Sequence, residues 1–277
     1  MHPRCWSSGN ARATYDNGIN SLHTASQAGG TTKMSLVQWL IRSTRCVIKS
    51  VLVRESLSAK ESKGSQLSGL ARIDQVLDHP VDLFRIWHDE FRRFNPSAPD
   101  ACCLATVSKD CKVSARNVVL REFDNDGFVI VTDSRSKKVD NVENVPHVAM
   151  CYLWFHVNEK EQQITRQVRV EGTMKRLEAK DFQHLYDREP LYCKIRSHLC
   201  HQGREVSWED LKQRHDEILE SVGRNENGLP MPDHFIAYKL LPTMMEFYFA
   251  RDQLIGDRMM YQRDTLEDSW EHHRIAA

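Results

Sequence analysis

Apolar positions along the chain recur with two different periods, and the switches between them mark out elements. From Pro80 to Phe94, Leu83, Phe84, Trp87, Phe91 and Phe94 fall three or four apart, so "VDLFRIWHDEFRRF" predicts a helix with one packed face, opened by Pro80. Shorter runs rich in β-branched and aromatic residues follow: "CCLATVS", "NVVL", "FVIV", "HVAMCYLWF" and "RQVRVEGTMKRL" predict strands. Asp124-Asn125-Asp126-Gly127 turns NVVL back onto FVIV as a hairpin, and Gly172 marks a bulge or turn. Helical spacing returns in Glu178 to Arg188 and in Ser207 to Val222. Ser207 caps the second of these, Leu211, Ile218, Leu219 and Val222 form its stripe, and Gly223 ends it. "HFIAYKLLP", "MMEFYFA" and "RMMYQR" predict late strands. This order predicts a mainly β fold with flanking helices, a barrel or strongly curved sheet, and argues against a doubly wound nucleotide fold. No internal repeat is evident.

The first 70 residues differ from the rest. Residues 1–54 contain one acid, Asp16, among many Ser, Thr, Asn and Gly, and Ser58 to Gly69 is polar, so residues 1–70 predict a disordered leader and 71–277 the folded domain. Inside the leader, "MSLVQWLIRSTRCVIKSVLVR" from Met34 mixes apolar residues with Arg and Lys and has no acid. It reads either as a mitochondrial targeting segment or as an incidental extension of a cytoplasmic protein.

Composition limits the chemistry. Lys plus Arg equals Asp plus Glu at 38 each, so no global field favours nucleic acid or an anionic membrane, and any anion site is local. Apolar stretches such as Val47 to Val53 fall well short of the roughly 18 to 20 residues a spanning helix needs, so no membrane span is predicted. The 8 cysteines form no CxxC pair, which suits a reducing compartment. Cys193, His198, Cys200 and His201 lack zinc-ligand spacing, so no metal is expected.

Neither GxGxxG nor GxxxxGK[ST] occurs, which argues against a glycine-loop nucleotide site. The notable charges lie around the hairpin: Arg116 and Arg121 at the ends of the first strand, Lys137 and Lys138 just past the second. Four cations where strands meet loops could cradle a phosphate while the apolar strand faces cover a flat ring. They could equally be a solvated rim, and the residues alone leave both readings open.

The segments "SARNVVLREFDNDGFVIVTDSRSKKVDNVENVP", "RQVRVEG" and "MEFYFARDQLIGDR", in that order, with the ending "HHRIAA", resemble the pyridoxine (pyridoxamine) 5′-phosphate oxidase family over roughly 200 residues from about Asp78. The resemblance implies an FMN-binding split β-barrel that forms a homodimer, with FMN at the subunit interface. It implies FMN contacts from Arg116 and the strand Asn117, Val118, Val119, Leu120 and Arg121, and from Val131 and Thr132. It adds Lys137 and Lys138 at the phosphate, then Gln167, Gln202, Gly203, Phe235 and Arg258.

The substrate side departs from the family pattern. Where the family holds the substrate phosphate with Lys, Tyr, Arg and Ser, this chain has Arg121, Leu185, Glu189 and Cys193, and Leu254 and Gly256 replace an Arg and a His. The family reaction takes a hydride from C4′ of pyridoxine or pyridoxamine 5′-phosphate to N5 of FMN. Dioxygen reoxidises the flavin, and pyridoxal 5′-phosphate is the product. No side chain is named as a general base. The departures leave two expectations: a weakened oxidase of a phosphorylated B6 vitamer, or an inactive paralogue that keeps the flavin or partners an active relative. Within "HVNEKEQQIT", His156, Lys160 and Gln163 are candidates for replacement donors on a lid.

Overall fold

A computed structural model describes residues 69–224 and 228–277; the leader and its targeting reading lie outside them. The element order is α1 (Pro80–Phe94), β1 (Ala101–Val107), β2 (Val113–Asp124), β3 (Gly127–Asp133), α2 (Lys137–Asn144), β4 (His147–Val157) and β5 (Gln163–Arg176). There follow α3 (Ala179–Asp187), α4 (Leu191–Leu199), α5 (Trp208–Arg224), β6 (Phe235–Arg251), β7 (Asp257–Gln262) and β8 (Glu271–Ile275). The strands pair antiparallel in the order β3-β2-β1-β4-β5-β6-β7-β8, and β3 also pairs with β6, which closes the first six into a ring. A closed ring removes the open edges that such long strands would expose. No helix among the described residues is long and apolar enough to cross a membrane.

The periodic face of α1 fills one side of this ring. Phe84, fully buried, meets the rings of Phe123, Phe128 and Tyr152 edge-on at about 5 Å, and Trp87 meets Phe247. Such edge-to-face pairs add about 0.5–1.5 kcal/mol each to plain burial. Phe94, the last of the predicted stripe, is only half-buried and stacks on His156.

Several boundaries differ from those read off the pattern. Lys137–Asn144 is helical although only Val139 and Val142 mark a buried face, too short a run for periodicity to register. Leu191–Leu199 is a further helix, and Leu191, Ile195 and Leu199 carried its spacing. Helix α5 runs one residue past Gly223, and its stripe is shallow: Leu219 remains 45% exposed. The two late strands divided at Pro242 are one, β6, because Pro242 sits opposite Gly172 at a shift in the β5–β6 register, the kind of irregularity at which a strand tolerates proline. Glu271–Ile275 is a strand with exposed side chains, which is why no pattern announced it. The segment 158–162 is a tight turn between β4 and β5. His156 points to Glu90 on α1, 3.1 Å away.

Gly172 is required sterically, since an added Cβ would overlap the Leu241 carbonyl and crowd Pro242. Gly172→Val is therefore expected to destabilise the fold by about 1–3 kcal/mol, read as a lower urea midpoint with an unchanged denaturant slope. A midpoint equal to the parent's would show that the two strands part freely at this point.

Candidate functional site

The site is built where the β2–β3 hairpin faces α4 and the loop beyond it. Adjacent strands of the hairpin bring Arg116, Asn117, Val118, Val119 and Arg121 beside Val131, Thr132 and Asp133. Helix α4 adds Cys193, Arg196 and Ser197 from one face. With Lys138, Glu189, Cys200, Gln202, His234 and Phe235 these line a cavity of about 480 Å³. A groove of about 570 Å³ between α4 and α5 is larger, but it is lined by intermixed charges of both signs on exposed helix faces.

At one end of the cavity two cations, Lys138 buried and Arg116 half-buried, hydrogen-bond to no carboxylate. Lys138 is 9% exposed and its Nζ donates to Thr132 Oγ1 at 3.0 Å, Ser136 Oγ at 3.1 Å and Gln202 Oε1 at 2.6 Å, all neutral oxygens. Arg116 Nη1 donates to the Leu104 carbonyl at 3.0 Å and to Thr106 Oγ1 at 2.8 Å, again neutral. Burial, with Arg116 adding to it, pushes the Lys138 ammonium down to about 8, and the nearby Asp133 only partly opposes this. Burial likewise lowers Arg116. Asp133 is itself engaged by Arg135, Nη2 to Oδ2 at 2.5 Å. Two neighbouring like charges drawn wholly or partly out of water are costly unless an anion joins them, so this end fits a phosphate. Ser136, at the start of α2, adds a hydroxyl there, and the helix N-terminus favours the same charge.

The walls next to that end are apolar. Val118, Val119, Val131 and Phe235 line the cavity beyond the cations, a surface suited to a flat ring system. The donor set and the walls together fit FMN: Arg116, Lys138, Thr132 and Gln202 for its phosphate end, and the hairpin face for its ring.

The far end is different. The register of β2 on β3 shifts between Leu120 and Glu122, and this bulge aims Arg121 into the cavity. There its Nη2 lies 2.6 Å from Glu189 Oε1, in a pair whose carboxylate side chain is 5% exposed. Arg121 Nε and Glu189 Oε2 are buried without partners.

Of the residues expected to meet the cofactor or substrate, Arg116, Asn117, Val118, Val119, Arg121, Val131, Thr132, Lys138, Cys193, Gln202 and Phe235 come together around this cavity. Leu120 points into the ring core, Lys137 is exposed, and Gly203 occupies an exposed turn with φ of 88°. Gln167 and Arg258 lie elsewhere, in one cross-strand row with Tyr248: Gln167 pairs with Tyr248, and Tyr248 with Arg258. The Arg258 guanidinium sits over the Tyr248 ring at 5.3 Å and donates to Glu246 at 3.2 Å. Leu185 packs into a small core cluster with Val129, Phe182 and Ala237, and Gly256 leaves room for the Tyr248 ring. His156, Lys160 and Gln163 do not line the cavity. Sequence reading missed Asp133, Arg196, Ser197, Cys200 and His234 of the lining, and Ser136, which accepts from Lys138 behind it. The spacing of Cys193, Arg196, Ser197 and Cys200 would have placed them on one helical face.

Residues 87–208 match the family model described as pyridoxamine 5′-phosphate oxidase, and residues 235–277 match the pyridoxine 5′-phosphate oxidase C-terminal dimerisation region. A pyridoxine/pyridoxamine 5′-phosphate oxidase of Salinibacter ruber is 33% identical over 204 residues, covering 73% of this chain and 91% of that protein. The enzyme of the same description from Cupriavidus metallidurans is 33% identical over 212 residues, covering 76% and 94%. In fold, the chain resembles PhzG of Burkholderia lata (TM-score 0.64, 23% identity, 76% of this chain and 100% of that one). It also resembles a pyridoxamine 5′-phosphate oxidase-related, FMN-binding protein of Nostoc punctiforme (TM-score 0.53, 17% identity, 70% and 97%). On the two model matches and relatives of this identity, the chain belongs to the FMN-binding pyridoxamine 5′-phosphate oxidase family.

Proposed function

We propose that the protein is an FMN-dependent oxidase of a B6-type pyridine alcohol or amine, the class that includes pyridoxine and pyridoxamine 5′-phosphate and yields the pyridoxal aldehyde. The observation that carries this reading is the pair of cations, half-buried Arg116 and buried Lys138, that face the cavity and hydrogen-bond only to neutral oxygens. Bound FMN supplies the hydride acceptor, and its reoxidation by dioxygen releases hydrogen peroxide. The chain's own residues bind and orient. Arg116 and Lys138 fix the phosphate, Thr132, Ser136 and Gln202 set the direction of the Lys138 ammonium, and the valine walls with Phe235 keep water from one ring face.

A homodimer completes the site in this reading. Gln167 and Arg258 are absent from the cavity lining, yet their row borders Leu153, which pairs with Gln167 and is 54% exposed, and Phe155, 57% exposed on the same side of β4. An apolar strip beside polar residues suits a second copy, which would bring its own row to this cavity.

The Arg121–Glu189 pair favours a second reading, a flavin or vitamer binder that has lost turnover, because it occupies a cation otherwise open to substrate. Protein loaded with FMN and given pyridoxine and pyridoxamine, each with and without the 5′-phosphate, separates the two. The oxidase reading expects dioxygen uptake and peroxide in step with aldehyde from at least one of the four. A protein that keeps its flavin and makes no peroxide with any of them is the binder.

A further inference from the structure

The cavity has several basic residues, and they are not in the same state. Arg116 and Lys138 meet neutral oxygens alone, whereas Arg121 is neutralised by Glu189 at 2.6 Å. Glu189 is fixed in place: its backbone N–H donates to the Tyr186 carbonyl at 3.0 Å at the end of α3, and Pro190 follows to start α4. The Arg121 side is equally fixed by the bulge in β2. The pair is therefore built into the wall rather than formed by two mobile surface chains.

We infer that Glu189 sets the specificity of this end of the cavity, so that it takes an unphosphorylated alcohol or amine in preference to its phosphate ester. This rests on the FMN-oxidase reading above, in which the one phosphate the cavity holds is that of FMN. A second dianion at Arg121 would meet the Glu189 carboxylate, whose Oε2 has no donor to offset it, and would have to break an ion pair shielded from water. A ligand that brings a hydroxyl or ammonium supplies a donor to that carboxylate. Arg196 also lines the cavity and is exposed on α4, so its contribution has to be measured separately.

The test uses the full chain loaded with FMN, with pyridoxine and pyridoxine 5′-phosphate as probes and calorimetry as the readout. The native protein is expected to bind pyridoxine more tightly than its phosphate ester. Glu189→Gln, which keeps shape and removes charge, is expected to move the ratio toward the ester by about 10- to 100-fold. Arg196→Ala, which removes another cation of the lining, is expected to move the ratio further toward pyridoxine, opposite in sign to Glu189→Gln. Glu189→Ala serves as the second variant, with thermal unfolding as the check that each folds. The inference is overturned if the native protein prefers the ester, if it binds neither probe, or if both Glu189 variants keep the parent's ratio. Failure of FMN to bind overturns the reading of the cofactor end instead, and it shows beforehand as a colourless protein.

Discussion

Lys138→Met is expected to weaken FMN binding by about 10- to 150-fold, the loss of one charge-assisted contact worth roughly 1.5–3 kcal/mol. Lys138 is singled out over Lys137 because it is buried among three oxygens at one end of the cavity while its neighbour is exposed. Its titration adds a signature that a structural role would not give. The ammonium is pushed down from 10.5 to about 8 in the protein without ligand, chiefly by burial and secondarily by Arg116. FMN affinity should thus fall as pH rises past about 8, where the free site loses the charge that the phosphate requires.

Stability of the unliganded protein moves the other way. Between about 8 and 10.5 the unfolded chain still holds the proton that the folded chain has released, so this residue's contribution to stability rises with pH across that window, and its burial penalty is complete below it. Fluorescence titrations of FMN across this range check the first claim, with Lys138→Met expected to be flat. The same variant should be at least as stable as the parent without ligand. A parent whose affinity does not change between these pH values would remove Lys138 from the phosphate site.

Phe84→Ala is the substitution expected to cost most in stability, about 3–5 kcal/mol. Phe84 is fully buried, and its ring touches those of Phe123, Phe128, Tyr152 and Trp154, so its removal leaves a cavity where α1 joins three strands of the ring. None of these residues can close the gap without shifting a strand. Urea unfolding measures the loss, and a change under about 1 kcal/mol would show that α1 is not part of the cooperative core. Together the two substitutions separate binding from folding. The Lys138 variant should lose flavin and keep its stability, and the Phe84 variant should lose stability first.

Local patterns carried most of the fold. Helix α1, the hairpin from Val113 to Asp133, and the paired strands β4 and β5 each have a period long enough to be read, and Gly172 does mark a bulge. What escaped depends on contacts far along the chain. Pro242 reads as a strand breaker until Gly172 is known to lie opposite it. Helix α2 has too few apolar residues to show a face, yet its first turn decides which lysine meets the cavity, since neighbours on a helix point about 100° apart. The cations at Arg116, Arg121 and Lys138 were legible as a cluster, and the structure gathers them around one cavity. Their different states were not legible from spacing: the resemblance set Arg121 and Glu189 in one site, and the structure shows them paired at 2.6 Å.

The proposal that this cavity runs a flavin-dependent oxidation is tested most directly by mixing FMN-loaded protein with substrate in the absence of dioxygen. Pyridoxine and pyridoxamine, each as the free vitamer and as its 5′-phosphate, should be tried in turn while the visible flavin band is followed. The band should bleach with at least one of them and return when air is admitted, with one peroxide formed for each flavin reoxidised. A band that shifts on ligand binding but never bleaches with any of the four would contradict it and leave a protein that holds FMN without using it.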